Sequence, residues 1–372
     1  MPASAPVYQY STLTAAEQAR LACDVISTGQ PDALGTGHLA RLERAVAARI
    51  GRTAAVGVDS GSAALALAIR GLGIGPGHEV IIPEVGWVSI GTAVTDTAAA
   101  VRVAPVTQTL TPGWEQIEPL ITPATAAVIL AHLRGRAAPG TARIAAELSG
   151  RGIALIEDCA QAWGVTADGQ PAGARGTAAA FSTQAYKVIS TGEGGMLLAD
   201  DPALIGLIRA LAGDTRQRAE PALWRGKHRM TEVSAVLARP QLAHLDILTA
   251  ALRRLQRRVV ELLTASGNIP SVLPALPDIP NCNGSLVGLW LATPEQASQL
   301  SSAYYRAGLR SWWPGPGDLH TAAAWPAQPS QTVADVRRYL DLQIPWLPED
   351  QHAGFAANIA SVTADALSRC AA

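Results

Sequence analysis

The chain carries only two lysines, Lys187 and Lys227, among 29 lysines and arginines, and one of them stands in a distinctive stretch. Phe181-Ser182-Thr183-Gln184-Ala185-Tyr186-Lys187-Val188 is followed by Gly192-Glu193-Gly194-Gly195. Arginine binds anions but stays protonated, whereas a lysine amine can lose its proton to its surroundings and attack a carbonyl carbon. The glycines let the backbone approach a bulky group and adopt positive φ. The same residues also describe a surface lysine beside a glycine turn. The neighbouring motifs must decide between the two.

Four of them bear on the choice. Asp59-Ser60-Gly61-Ser62-Ala63-Ala64-Leu65 stands where a strand gives way to a helix, so its free N–H groups and hydroxyls suit an anion. It reads equally as a helix N-cap by Ser60 or Asp59. Ile153-Ala154-Leu155-Ile156-Glu157-Asp158-Cys159-Ala160-Gln161 delivers Asp158 to the end of an apolar strand. An Asp there can pair with a protonated pyridine nitrogen and Gln161 can reach a ring hydroxyl, or Asp158 simply caps a helix. Trp87, after Pro83-Glu84-Val85-Gly86, can stack on a flat cofactor or lie in the core. Ser182, five residues before Lys187, can donate to a phosphate. Together they supply a phosphate cup, a stacking ring, a pyridinium partner and a Schiff-base lysine, the parts that a pyridoxal phosphate site needs.

The elements that must position these residues alternate in type. Helical spacing covers 13–28 and 37–50. Strands are expected at 53–58, 79–82, 99–104, 126–131, 153–157 and 196–199. Between them lie helices at 60–72, 87–95, near 113–121, at 139–151 and at 202–211. This alternation predicts an α/β fold with a mostly parallel sheet covered on both faces, and ligands in such sheets sit at the carboxyl ends of the strands. A long helical stretch from about 231 to 265 is interrupted by Pro240. The Pro- and Asn-rich segment 266–287 reads as a change of domain, so residues 1–265 form a large domain and 266–372 a small C-terminal α/β domain. The latter has a strand at 285–291, a helix at 294–307 and a last helix from about 351.

With 372 residues, 48% of them apolar, the chain can bury a sizeable interior. Its net charge of −1 and lack of a basic run argue against a nucleic-acid partner. Four scattered cysteines suggest neither a disulfide framework nor a zinc cluster, so no metal is expected. No signal peptide and no apolar run of spanning length is present, and a cytoplasmic location is expected without membrane association.

Taken in order, these motifs resemble the DegT/DnrJ/EryC1/StrS family of sugar aminotransferases, pyridoxal phosphate enzymes of fold type I (aspartate aminotransferase-like). The matching pieces are Gly61-Ser62-Ala63-Ala64-Leu65, the run from Leu72 to Pro83, Ile121-Thr122-Pro123 and Ile156-Glu157-Asp158-Cys159-Ala160-Gln161-Ala162. They continue through Phe181-Ser182, Lys187, Gly192-Glu193-Gly194-Gly195, Arg229-Met230-Thr231-Glu232 and Gln241-Leu242-Ala243-His244-Leu245-Asp246. Trp87 and the pattern around Lys187 look most like the keto-cyclitol (scyllo-inosose) aminotransferases, and the aminohydroxybenzoate synthases are also similar here.

The resemblance implies that Lys187 forms the Schiff base and shuttles a proton, Asp158 binds the pyridine nitrogen and Gln161 the phenolic oxygen. Trp87 would stack on the ring, and Gly61, Ser62, Ala63 and Ser182 would hold the phosphate. It implies a homodimer with shared active sites, a small keto substrate and an amino-acid donor, glutamine or glutamate. The alternative on the same site is a dehydratase or aromatase of the aminohydroxybenzoate synthase type. A catalytically silent subunit is a further reading, against which the presence of both Lys187 and Asp158 argues. The chain also departs from the family pattern. Lys227 stands where an Asn reaches the partner's phosphate, the His-Leu-Tyr-Gly pattern reads His132-Leu133-Arg134-Gly135, and an Asp-rich stretch before residue 110 is missing. The segment 214–225 is short. Near the C-terminus, Trp312, Trp313 and His320 are candidates for the substrate side. These departures leave open whether the substrate is a nucleotide sugar.

Overall fold

Apolar strands set the frame. β1 (Ala54–Val58), β2 (Glu79–Pro83), β3 (Ala100–Ala104), β4 (Thr125–Ala131) and β5 (Ala154–Asp158) alternate with helices. A small hairpin of β6 (Thr166–Ala167) and β7 (Gln170–Pro171) follows, then β8 (Ala178–Ser182) and β9 (Gly195–Ala199). In the computed structural model, which describes residues 13–29, 37–214, 226–274, 276–313 and 336–369, seven of these strands form one sheet in the order β1-β9-β8-β5-β4-β2-β3. Six run the same way. β9 is antiparallel to both neighbours, a direction that a short apolar run buried on both faces does not encode.

The interior strands are near-continuous apolar runs because helices cover both faces. Residues alternate between the two sides. Val56 and Val58 pack toward α3 (Gly61–Gly71) with Leu65, Leu67 and Ile69. Ala55 and Phe181 join the opposite core with α2 (His38–Ile50). α1 (Ala15–Ile26) precedes α2, and Glu232 accepts the backbone N–H groups of His38 and Leu39, satisfying the first turn of α2. α4 (Ser89–Thr95) starts two residues later than the helical spacing suggests, which leaves Trp87 exposed ahead of the helix. α5 (Trp114–Ile117) is short and tightens into a 3₁₀ turn at Glu118–Leu120, where Pro119 lacks the N–H that an α-helix would use. α6 (Thr141–Gly150) and α7 (Pro202–Leu211) complete the layers.

The stretch expected to break at Pro240 breaks at His244 instead. α8 (Glu232–Ala243) accommodates Pro240 in its last turn, and α9 (Leu245–Ala265) follows. α9 turns Leu248, Leu252, Leu255 and Val259 into a core shared with a second sheet. That sheet has four antiparallel strands in the order β10 (Ser271–Leu273), β11 (Leu286–Trp290), β13 (Tyr339–Gln343), β12 (Ser311–Trp312). It is covered by α10 (Pro294–Arg306) and α11 (His352–Ser368). The strand near 285–291, the helix from 294 and the last helix match the expectation from sequence. Among the described residues no helix is long and apolar enough to cross a membrane.

Candidate active site

Strand register brings the sequence motifs to one edge of the large sheet. Ala131 lies opposite Asp158, Asp158 opposite Ala180, and both Ser182 and Val58 opposite Gly195. The carboxyl ends of β1, β4, β5 and β8 therefore converge on the start of β9. Above them opens a cavity of about 680 Å³. Its lining includes Gly61, Ser62, Trp87, Asp158, Gln161, Ser182 and Lys187, all seven from separate sequence motifs or separate positions within them.

The lysine loop joins β8 to β9. Thr183 donates its N–H to the Gly194 carbonyl, Ala185 to Gly192 and Lys187 to Gln184, each at 2.8–2.9 Å. Gly194 has a φ of +154°, and a Cβ there would lie 2.4 Å from the Thr183 hydroxyl. Only glycine closes this loop. Gln241 clamps it from α8, accepting the Ser190 N–H at 2.9 Å and donating to the Ser190 carbonyl at 2.7 Å. Val188 and Ile189 anchor it in the core. Burial lowers the proton affinity of the Lys187 amine, the Asp158 carboxylate raises it, and the Arg134 guanidinium lowers it further; the net direction is downward. A neutral amine is the form that attacks a carbonyl.

Asp158 is buried, and burial pushes its carboxyl upward against the Ala160 N–H (3.0 Å) and the Lys187 charge. The neighbouring Glu157 points into the protein on the other side of the strand. It is fully buried, which by itself would raise it, but His132 Nε2 and the N–H groups of Gly173, Arg175 and Gly176 hold it at about 2. His132 Nδ1 accepts the Ala138 N–H at 3.0 Å, so its Nε2 carries the hydrogen given to Glu157. Cys159 lies close to this pair, but both ring nitrogens and the carboxylate are already committed, and burial keeps the thiol protonated. The trio fastens β4, β5 and the 173–176 loop together and offers no vacant donors for a metal.

At the head of α3, Ser60 Oγ accepts the Ala63 N–H at 3.1 Å, leaving Gly61 and Ser62 in the first turn with N–H groups that have no partner within the helix. A Cβ on Gly61 would lie 2.9 Å from Ser182 Cβ, so the glycine opens the gap between helix and strand that an anion would occupy. Trp163 fixes the other side, donating its indole N–H to the Ser182 carbonyl at 2.8 Å and packing at a tilt against Phe181, ring centres 4.5 Å apart. Gln161 has one end spoken for: its Oε1 accepts the Arg134 N–H at 2.7 Å, which leaves the amide's donor end. These features fit pyridoxal phosphate: an N-terminal helix turn and Ser182 for its phosphate, Asp158 for its ring nitrogen, Gln161 for its phenolic oxygen, Trp87 for a ring face and Lys187 for its aldehyde.

Three candidates from the sequence lie outside this chain's cavity lining, and a fourth is not among the described residues. Ala63 gives its N–H to Ser60 and does not line the cavity. Lys227 is exposed and outside the cavity of its own chain. Trp313 donates its indole N–H to the Arg337 carbonyl at 2.7 Å and packs against the core of the second sheet, whereas its neighbour Trp312 faces the cavity. His320 lies outside the described residues. The second sheet also contributes Ser285, Leu286, Arg310, Asp341 and Gln343, none of which stood out in the sequence. Asn283 links the two parts, its N–H bonded to the Gly135 carbonyl at 2.9 Å and its Nδ2 to the Gln161 carbonyl at 3.0 Å.

Residues 14–301 match the model of the DegT/DnrJ/EryC1/StrS aminotransferase family. The dTDP-3-amino-3,4,6-trideoxy-alpha-D-glucose transaminase of Streptomyces venezuelae is 32% identical over 275 residues, 73% of this chain and 71% of that enzyme. The L-glutamine:2-deoxy-scyllo-inosose aminotransferase of Streptomyces kanamyceticus is 35% identical over 229 residues, 58% of this chain and 53% of that one. Among solved structures, S. venezuelae DesV in complex with a ketimine intermediate superposes with a TM-score of 0.80 at 29% identity, covering 94% of both chains. A 3-amino-5-hydroxybenzoic acid synthase shares the fold with a TM-score of 0.83 at 22% identity, covering 98% of this chain and 100% of that one.

Proposed function

Because the chain belongs to the DegT/DnrJ/EryC1/StrS aminotransferase family, we propose that it is a fold type I pyridoxal phosphate enzyme for small keto-cyclitols, keto-sugars or related ketones. The amino donor in this reading is glutamine or glutamate, and the setting is secondary-metabolite biosynthesis such as that of an antibiotic. The observation that carries it is the meeting of a desolvated lysine amine with a buried carboxylate at one sheet edge, beside an open helix N-terminus.

The cofactor, when bound, supplies an aldehyde that receives an amino group and a ring that takes up electron density from the adjoining carbon. The protein's own residues do the rest. Asp158, with few donors of its own, holds a proton on the ring nitrogen and keeps the ring cationic. Gln161 presents its amide N–H₂ to the phenolic oxygen, an orientation fixed by the Arg134 N–H at the other end of the amide. Gly61, Ser62 and Ser182 bind the phosphate. Once its amine is free, Lys187 Nζ takes a proton from the substrate carbon and delivers it to the carbon on the far side of the transferred nitrogen, a task that its lowered proton affinity suits. Trp87, 64% exposed at the cavity mouth, covers one ring face. A second copy of the chain closes the site from outside, and Lys227, exposed on its own chain, reaches the partner's phosphate.

Borohydride reduction of the purified protein, followed by digestion, is expected to leave a pyridoxyl mass on the peptide containing Lys187. An unmodified peptide at saturating cofactor overturns the assignment. Incubation with glutamine or glutamate is expected to bleach the Schiff-base absorbance and release the corresponding 2-oxo acid. Loss of water from an added ketone with no 2-oxo acid released points to dehydration instead.

A further inference from the structure

Arg134 plays only a backbone part in holding the cofactor, yet the fold constrains it tightly. Its φ of +61° places a non-glycine residue in the left-handed region, held there by the N–H bond to Gln161. From this turn after β4 the side chain crosses to the second sheet. One guanidinium nitrogen lies 2.7 Å from Asp341 Oδ2, and the guanidinium stacks 4.0 Å from the centre of the Trp312 ring. Asp341 has an additional partner, since Tyr339 donates its hydroxyl to Oδ1 at 2.5 Å. Gly288 makes that contact possible, because a Cβ there would lie 2.3 Å from the Tyr339 oxygen.

The charged groups lining the cavity have separable duties. Asp158 and Lys187 serve the cofactor, and His132 is committed to Glu157. Arg310 lies over the exposed Tyr186 ring at 3.9 Å, and Glu193 is exposed in the glycine turn of the lysine loop. Of the charges lining the cavity, the Arg134–Asp341 pair spans it from the large sheet to the second, and the guanidinium is close enough to depress the Lys187 amine. We propose that Arg134 receives the α-carboxylate of the amino donor, turning from Asp341 to the incoming anion and back when a neutral ketone takes the donor's place. This rests on the proposed amino transfer from glutamine or glutamate.

The chemistry favours this device. One site must admit an amino acid through its carboxylate and then an uncharged ketone. A lone buried cation would bind the first and penalise the second, because an unpaired charge in a poorly solvated cavity is costly. Asp341 removes that penalty in the ketone-bound state. Guanidinium offers five N–H donors in a planar fork, and a single Asp341 oxygen leaves room for a two-point carboxylate contact. Trp312 fixes the plane of the fork. When Arg134 turns to the donor, Asp341 keeps the Tyr339 hydrogen bond, and burial, which already raises its proton affinity, lets it take up a proton instead of standing as an unpaired charge.

The test compares holoenzyme carrying Arg134→Met or Arg134→Lys with the wild type. Each donor is set against its decarboxylated amine (glutamine against 4-aminobutanamide, glutamate against 4-aminobutanoate), reading the bleaching of the Schiff-base absorbance. Calorimetry with glutaramate, which is glutamine without its amine, reports carboxylate binding without turnover. Arg134→Met is expected to weaken glutaramate about 10- to 100-fold, the range of a charge-assisted contact, and to erase the wild-type preference for amino acid over amine. Arg134→Lys, which keeps the charge and the Asp341 pair but loses the fork, is expected to fall between. If both variants keep the wild-type preference and glutaramate affinity, the inference is overturned and the amino-transfer reading stands. If neither amino acid bleaches the wild type, that reading falls and this inference with it.

Discussion

The wall of the cavity formed by the large sheet and the wall formed by the second sheet are made from different kinds of residue. On the first, the contacts come from strand ends and a helix start gathered at one edge of the sheet: Gly61 and Ser62 on α3, Ser182 on β8, Asp158 on β5. Their positions follow from strand register, and each belongs to a short run recognisable by itself. On the second, Arg134 and Arg310 reach Asp341, Trp312 and Tyr186 through long side chains from segments far apart in the chain. Under the proposed function, cofactor chemistry falls to groups fixed by strand register and helix start, and substrate choice to long side-chain pairs that bridge the two sheets.

Substitutions on the two walls should therefore fail differently. Lys187→Ala and Asp158→Asn are expected to lower both half-reactions together. The lysine change should cost about 10³-fold or more and the aspartate change about 10²- to 10³-fold, as for loss of an acid–base group and of one charge stabiliser. Single-turnover rates with donor and with ketone check this; an effect confined to one half-reaction would erase the distinction between the walls. Glu157, beneath the cofactor wall, gives a stability test. Its folded value of about 2 lies below the ordinary 4.5, so its contribution is present above pH ~4.5 and is lost as pH falls toward 2. Glu157→Gln is expected to lose about 3 kcal/mol at pH 7 and progressively less below pH 4.5 by urea unfolding. A gap that does not narrow in acid contradicts it. Gly61→Ala, whose Cβ would press on Ser182, is expected to raise the cofactor dissociation constant about tenfold. Smallest of all, Trp312→Ala should weaken substrate a few-fold, with the cofactor constant unmoved in an equilibrium titration. A cofactor constant that moves with it would join the two walls into one.

The legibility of the sequence follows the same division. Asp158, Ser182 and Lys187 could be placed because each sits at the end of an apolar strand or in a glycine-marked loop, where local pattern and position coincide. The direction of β9 could not, because Gly195–Ala199 is buried on both faces and has no alternation to orient it. Trp312 and Trp313 were indistinguishable on paper; a two-residue strand turns one into the cavity and the other toward the Arg337 carbonyl. Asp341 was invisible because its meaning depends on Arg134, 207 positions earlier in the chain (341 minus 134). Gly135, by contrast, has a reason only the fold reveals: a Cβ there would lie 2.2 Å from the Asn283 side chain.

The scarcity of lysine has a practical consequence. With Lys227 exposed and Lys187 set inside the cavity, amine-directed acylation meets two side-chain targets of opposite accessibility. Under the proposed function the labelling of Lys187, whose amine is consumed by the cofactor's aldehyde, becomes a meter of how much of the protein is loaded, and protection of Lys227 reports separately on its reach to the partner's phosphate.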